Sequence, residues 1–160
     1  MGVLDVLEVP NILLGQTAED VVEFDRSLST FVDDLFATMH VYKGIGLAAP
    51  QVGILKRVFV SQYENQRLVC VNPILELYGD ELESEEACLS IPNVLATVSR
   101  YSYVKVQAYD VNGNRFNQSF DGMMAIVIQH ENDHLDGVLI TDKSLNTRYN
   151  HDQSEGIEKE

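Results

Sequence analysis

Residues 130–134 read HENDH, the HExxH pattern that is typical of metal-dependent hydrolases. On a helix, residues i and i+4 lie on one face, so His130 and His134 can both reach one metal ion. Glu131 lies one step around the helix, where its carboxylate can reach a water molecule bound to that ion. The alternative is an exposed helix end with two surface histidines. The preceding turns are apolar, and burying unpaired charge is costly, which favours the metal site.

A catalytic divalent ion usually takes three protein ligands and leaves one position for water. The candidates for the third ligand are the carboxylates, His40, His151, Cys70 and Cys88. His40 ends a predicted helix, and His151 stands in a polar tail. Cys70 lies in an apolar run, where a thiol usually packs as a small hydrophobic group. Cys88 lies at a polar-to-apolar junction, where a thiolate could face a cation.

A second segment of interest is the run of small residues GIGLAAPQVG at positions 44–53. Gly44 and Gly46 let a backbone approach a ligand closely, and Gln51 can offer an amide donor there. The glycine patterns of P-loops and dinucleotide-binding folds are absent, which argues against nucleotide binding.

The elements that must position these residues follow from the hydrophobic pattern. Apolar residues recur at three- and four-residue steps from Phe24 to Met39, which predicts a helix closed by Lys43 and Gly44. Short β-rich runs follow from about residue 54 to 120, and Asn112-Gly113 predicts a hairpin with a tight turn. Residues 122–135 are apolar on nearly all sides, as in a buried helix. This order predicts an α+β domain in which the buried helix packs on antiparallel strands.

Composition sets the remaining bounds. A chain of 160 residues is expected to form one domain, which we place at residues 1–142, before an acidic, polar tail at 143–160 that we expect to be mobile. The net charge of −14 argues against nucleic-acid and membrane partners. No segment reads as a secretory signal or a membrane span, and two cysteines are too few for a disulfide framework. The low cysteine count indicates that the protein works in a reducing compartment, such as the interior of a cell.

Three segments together resemble the signature motifs of the peptide deformylase family. Residues 44–51 (GIGLAAPQ), 86–90 (EACLS) and 129–134 (QHENDH) match the family patterns GxGxAAxQ, EGCxS and QHExxH, in that order. The resemblance runs from about residue 20 to residue 142. It implies an α+β fold in which antiparallel strands surround the central HExxH helix.

The resemblance also implies roles for individual residues. The metal ligands would be Cys88, His130 and His134, and Glu131 would be the catalytic acid/base. Gln51 and the backbone N–H of Leu89 would bind the formyl oxygen. Glu86 and Arg100 would form a buried ion pair. The residues implied for substrate binding, including a methionine pocket, are Gly44, Ile45, Gly46, Glu86, Ala87, Met123, Ile126 and Val127.

The implied reaction is removal of the formyl group from the N-terminal formylmethionine of nascent polypeptides. A metal bound to two imidazoles, one thiolate and one water can lower the pKa of that water to about 7, which supplies a hydroxide that attacks the formyl carbon. Glu131 would move the proton to the departing amine, and the donors at Gln51 and Leu89 would stabilise the oxyanion. The products are formate and a free amino terminus.

The implied cofactor is one divalent metal ion per chain. A thiolate with two imidazoles suits Fe(II), Zn(II), Ni(II) or Co(II). The family favours Fe(II) in the cell, with Zn, Ni or Co in purified protein.

The implied partners are N-formylmethionyl peptides, docked as an added strand along residues 44–46. Some bacterial members contact the ribosome through a basic C-terminal helix, whereas this chain ends in acidic residues. We therefore expect transient ribosome proximity without tight docking, and no binding to nucleic acid or membrane. A chain of this size with one core is expected to be a monomer. The expected location is the cytoplasm of a bacterium, or of a bacterial host if a phage encodes the protein, with an organelle as the alternative.

The sequence departs from the family motif at Ala87, where the family has glycine. The added methyl restricts φ and could narrow the substrate groove, so we expect an active enzyme with an altered side-chain preference.

Two other functions are compatible with HExxH. An HExxH peptidase that cleaves internal peptide bonds commonly takes a third His or Glu downstream, where the only remaining histidine is His151. A non-catalytic relative would be expected to lose Glu131 or a metal ligand first, and none of them is lost.

Overall fold

The computed structural model describes residues 2–149, which form one six-stranded antiparallel sheet, two α-helices and short 3₁₀ helices. The α-helices are α1 (Arg26–Val41) and α2 (Gly122–Leu135). The strands are β1 (Gly46–Ala48), β2 (Val58–Tyr63), β3 (Gln66–Cys88), β4 (Ile91–Tyr109), β5 (Arg115–Asp121) and β6 (Ser144–Tyr149). The predicted α+β class, with antiparallel strands around a buried helix, is confirmed.

Helix α1 begins where the Asp25 carboxylate accepts a hydrogen bond from the Leu28 N–H at 3.0 Å. The apolar stripe predicted from the sequence faces the core. At the other end, Lys43 has a φ of 60°, and Gly44 donates its N–H to the Met39 carbonyl at 2.9 Å. This is the hydrogen-bond pattern of a Schellman C-cap, with lysine rather than glycine in the left-handed position.

The sheet has the strand order β1-β2-β3-β4-β5, and β6 pairs with the far part of β4. Strands β3 and β4 form a hairpin of 23 and 19 residues, whose register runs from Val71 opposite Tyr109 to Cys88 opposite Ile91. Bulges at three points let this long hairpin bend around α2. The hairpin therefore brings Cys88 to the histidines of α2.

Helix α2 is buried among the strands, as its apolar composition predicts. One of its faces packs in a core cluster with residues from β1, β2, β3, β4 and β5. Its members in α2 are Met124, Ala125, Ile128 and Leu135. A second cluster joins α1 to β1 and β2 and to Leu89. None of the described helices is both long enough and apolar enough to cross a membrane.

Two local predictions need correction. The hairpin at Asn112-Gly113 forms, but Tyr109 pairs with Arg115, so five residues connect the strands instead of a tight two-residue turn. The Asp110 carboxylate accepts the N–H groups of Asn112 and Asn114 and holds this loop.

The second correction concerns the predicted tail at residues 143–160. Ser144–Tyr149 form β6, whose register with β4 runs from Val98–Ser144 to Val94–Tyr149. Backbone pairing orders this segment in spite of its polar composition. Residues 150–160 of the predicted tail, including His151, lie outside the described residues.

Candidate active site

Three ligand atoms meet at the end of the β3–β4 hairpin. The ligand atoms of Cys88, His130 and His134 all lie within 4.8 Å of one another, and all three residues are buried. The Cys88 Sγ is 3.4 Å from the His134 Nε2. One metal ion could contact all three atoms. A thiolate with two imidazoles is a set that leaves one position of a tetrahedral ion for water, so these residues fit a catalytic metal.

His130 is oriented by Glu86, whose Oε1 accepts a hydrogen bond from the His130 Nδ1 at 2.9 Å. The nitrogen of His130 that could bind a metal ion is therefore Nε2, because a carboxylate partner on one imidazole nitrogen fixes the tautomer and the ring orientation. The same carboxylate accepts two hydrogen bonds from Arg100, from Nε at 2.8 Å and from Nη2 at 2.7 Å. The implied ion pair between Glu86 and Arg100 is thus present in a fork geometry.

Electrostatics favour the ligating forms of these groups. Burial raises the pKa of Glu86, but the hydrogen bonds from Arg100 and His130 outweigh it and lower the pKa to about 2. Burial and the nearby His130 lower the pKa of His134 well below its usual value, so this imidazole is neutral, as a metal ligand must be. Glu86 is fully buried and both of its side-chain oxygens are engaged, so its carboxylate belongs to the ion pair. The expected contact of Glu86 with substrate stays a prediction.

The Gln51 amide is held in one orientation beside Cys88. Its Oε1 accepts the Ala48 N–H at 3.0 Å, which fixes the opposite end of the amide as the donor. The Nε2 lies 3.1 Å from the Ser90 Oγ and 3.7 Å from the Cys88 Sγ. Since Gln51 is fully buried, its donor is directed at the metal-ligand cluster without competition from bulk solvent.

Position 46 in β1 requires a glycine because the side chain of Glu131 lies very close to its backbone. A Cβ built on it would lie 2.5 Å from the Glu131 Oε2, closer than real Cβ contacts come. The carboxylate therefore lies directly against the backbone of β1, and a side chain at position 46 would displace it. The glycine that the sequence suggested for close ligand approach here makes room for Glu131.

The other predicted residues lie around this centre. Leu89 follows Cys88 in the two-residue turn between β3 and β4, and Ala87 precedes it; both are buried. Gly44 and Ile45 are partly buried and lead into β1. Met123 and Ile126 are partly exposed and Val127 is buried on α2. A common pocket formed by these residues stays a prediction.

Some polar residues inside the quoted motifs have contacts that the sequence did not indicate. The side chain of Gln129 accepts the N–H of Tyr101 at 3.0 Å and donates to its carbonyl at 2.8 Å, which joins α2 to β4. Ser90 holds Gln51, as described above. Asp133 accepts a hydrogen bond from the Arg100 Nη1 at 2.7 Å. All three lie within two residues of a predicted ligand, and this position is the signal in the sequence that marks them as candidates.

His40 and Cys70 are not part of the centre. His40 lies at the end of α1, where its ring stacks on Phe36. Cys70 is buried in the core cluster, and burial raises the pKa of its thiol. Their interpretation as structural residues agrees with these positions.

The site and the fold together define a class of enzyme. An HExxH helix whose two histidines meet a cysteine from a surrounding antiparallel sheet is the arrangement of a metal-dependent hydrolase.

Comparisons with known proteins identify the family. The polypeptide deformylase family model matches residues 3–150. A peptide deformylase of Legionella pneumophila is 38% identical, with 89% of this chain and 86% of that chain covered and a TM-score of 0.86. That of Thermotoga maritima is 34% identical, with 91% and 100% covered and a TM-score of 0.88. A peptide deformylase of Synechococcus elongatus, solved in complex with actinonin, is 41% identical, with 89% and 79% covered and a TM-score of 0.87.

The chain belongs to the polypeptide deformylase family. Its activity is the hydrolytic removal of the formyl group from nascent peptides, which depends on a metal ion. The family, the enzyme class and the reaction expected from the sequence are confirmed.

Proposed function

We propose that Cys88, His130 and His134 hold the catalytic metal ion of this deformylase and that Glu131 is its acid/base. The observation that carries the proposal is the meeting of three buried ligand atoms from two elements, next to a buried carboxylate on the same helix. When bound, a divalent ion lowers the pKa of a ligated water and polarises the formyl oxygen. The ligand set suits Fe(II), which we propose as the metal in the cell, and Zn(II), Ni(II) or Co(II) in purified protein.

Glu131 is assigned the proton transfers. Its carboxylate lies against the backbone of Gly46, so a peptide lying along β1 would bring its formyl group next to it. Glu131 takes a proton from the attacking water and returns it to the departing amine. General catalysis of this kind contributes about 10²- to 10⁴-fold in rate.

Gln51 and the backbone N–H of Leu89 are assigned to the formyl oxygen. The fixed orientation of the Gln51 amide supports this assignment, because its donor does not have to reorganise when negative charge develops. Leu89 follows the ligand Cys88 directly, so its N–H belongs to the same turn. A single preorganised donor of this type is worth about 3 to 4 kcal/mol in the transition state.

Substrate docking is assigned to the open edge of β1. Among the described strands, β1 pairs with β2 alone, so its other edge can accept an extended peptide. Residues 44–46 would supply the backbone hydrogen bonds. The methionine side chain would enter a pocket lined by Ile45, Met123, Ile126 and Val127. The partial exposure of Ile45, Met123 and Ile126 supports this surface.

Ala87 is proposed to influence substrate preference. It is buried immediately next to the ligand Cys88, at a register shift between β3 and β4. The methyl restricts the backbone here and occupies space that a glycine would leave open. An Ala87→Gly variant should show a changed preference among formyl-Met-Xaa peptides, and an unchanged profile would mean that the methyl has no role.

The proposed setting is the cytoplasm, where nascent formylated chains are made. The acidic residues 81, 83 and 85 of β3 are exposed, and such a surface is repelled by RNA. We therefore propose that the protein meets nascent chains by diffusion, near ribosomes but without tight docking. Co-sedimentation with ribosomes at physiological salt would contradict this. A monomer is proposed separately, because a chain of this size has one core.

The roles can be tested by formate release from formyl-Met-Ala-Ser. Protein prepared anaerobically and loaded with Fe(II), Ni(II) or Co(II) should release formate, and Glu131→Ala should lose nearly all activity while it still binds metal. A Glu131→Ala protein as fast as the wild type would contradict the mechanism. Absence of formate release with every metal would contradict the whole proposal.

A further inference from the structure

Arg100 contacts two carboxylates. Glu86 accepts from its Nε and Nη2, and Asp133 accepts from its Nη1 at 2.7 Å. The other oxygen of Asp133 accepts from the Lys143 Nζ at 3.1 Å. Together with His130, these residues form a continuous chain of contacts, His130–Glu86–Arg100–Asp133–Lys143.

This chain of contacts runs from the buried residue His130, a proposed metal ligand, to Lys143 at the surface. The side chains of Glu86 and Arg100 are 0% and 2% exposed, that of Asp133 is 16% exposed and that of Lys143 is 44% exposed. The two carboxylates balance the two cations of Arg100 and Lys143, so the four residues together carry no net charge.

The position of Glu86 depends on that of Arg100 for a geometric reason. A single oxygen of Glu86, Oε1, accepts from both the Arg100 Nη2 and the His130 Nδ1. A rotation of the guanidinium would therefore displace the oxygen that orients the imidazole. Asp133 holds the guanidinium at Nη1, on the side away from Glu86.

We propose that Asp133 and Lys143 are positioning residues for the metal ligand His130, acting through Arg100 and Glu86. Lys143 directly precedes β6, so this chain of contacts also couples β6 to the metal centre. This inference rests on the metal site proposed above. Loss of such outer partners typically weakens metal binding by 10- to 100-fold.

Simple electrostatics and positioning make different predictions. If only the charge near the metal mattered, removal of the Lys143 cation would strengthen binding of a divalent ion, whereas removal of the Asp133 anion would weaken it. Positioning requires that both changes weaken it, because each loosens the same guanidinium. The sign of the Lys143 effect therefore separates the two explanations.

The test measures the Co(II) dissociation constant by competition with a chelator, together with the visible spectrum of the Co(II) protein. Asp133→Asn should weaken Co(II) binding by about tenfold. Lys143→Met should weaken it by about threefold, because a half-exposed pair contributes less. Lys143→Arg should restore the wild-type value. Lys105→Met is the matched control, since Lys105 is exposed and makes no ion pair within residues 2–149, and it should change nothing.

A double variant tests directly whether Lys143 acts through Asp133. Lys143 acts through Asp133, so Lys143→Met should have no further effect in an Asp133→Asn background. Tighter or unchanged Co(II) binding in folded Lys143→Met would overturn the proposal, and this surface variant decides the matter if Asp133→Asn does not fold. A wild-type protein that does not bind Co(II) would contradict the metal site itself, whereas equal affinity in wild type and variants would contradict only the positioning chain.

Discussion

The two faces of helix α2 are buried to the same degree and do different work. On the core face, Ala125 and Ile128 are fully buried among apolar side chains. On the site face, His130, Glu131 and His134 are equally buried. The partner of His130 is the Glu86 carboxylate, and that of His134 is the Cys88 thiol. Apolar burial stabilises the fold, whereas buried ionic groups are near neutral for stability even when fully paired. Burial alone therefore does not identify the functional face, and the chemistry of the buried groups does.

The largest expected effect lies on the site face. Glu131→Gln keeps the size of the side chain but removes the group that carries the proton, so kcat should fall about 10³-fold. Co(II) affinity should stay close to wild type, because Glu131 is not a proposed ligand. The measurements are formate release and chelator competition on the same preparation. A variant that retains more than a tenth of the activity would contradict the division between the faces.

Two isoleucines on α2 provide a matched comparison. Ile128 is fully buried in the core, so Ile128→Ala should lower the free energy of unfolding by about 2 to 5 kcal/mol with little change in kcat/KM. Ile126 is partly exposed and belongs to the proposed methionine pocket, so Ile126→Ala should cost less stability and raise KM for formyl-Met peptides. Urea unfolding and steady-state kinetics would test both, and the reverse pattern would refute the assignment of the faces.

The contact between Gly46 and Glu131 gives a further prediction. In Gly46→Ala, the new methyl must displace the Glu131 carboxylate, so kcat should fall about 10²-fold, since small misplacements of catalytic groups have effects of this size. Gly15→Ala is the control, because a Cβ at position 15 meets nothing within 4 Å. Equal kinetics in the two variants would mean that the close approach has no catalytic consequence.

The smallest expected effect concerns the clamp between α2 and β4. Gln129→Met removes two hydrogen bonds to the Tyr101 backbone and leaves those groups unpaired in a partly buried place. The free energy of unfolding should fall by about 1 to 3 kcal/mol. Activity at low temperature should stay close to wild type. A large loss of activity without loss of stability would instead assign Gln129 to the chemistry.

Elements with a strong local pattern could be predicted from the sequence. Helix α2 has the bounds 122–135 that its apolar composition indicates, and the first helix lies within two residues of its predicted ends. The HExxH spacing and the resemblance to the family identified the residues that meet at the centre. Local spacing carries this information because i and i+4 neighbours are fixed by the helix itself.

The parts that the sequence does not predict depend on contacts between residues distant in the chain. Strand β6 is polar and mostly exposed, and only its pairing with β4 orders it, which no local pattern indicates. The contact of Asp133 with Arg100 joins residues 33 positions apart. The continuation of β3 through residues 79–88 is also not predictable from a local pattern, because its charged residues conceal the alternation of exposed and half-buried positions.

The central claim is that Cys88, rather than the other thiol, completes the metal site with His130 and His134. The direct measurement is the near-ultraviolet thiolate-to-Co(II) charge-transfer absorption of wild type, Cys88→Ala and Cys70→Ala, each titrated with Co(II). The account predicts one Co(II) per chain with this band in wild type and Cys70→Ala, and loss of the band with much weaker binding in Cys88→Ala. A band that persists in Cys88→Ala and disappears in Cys70→Ala would contradict it.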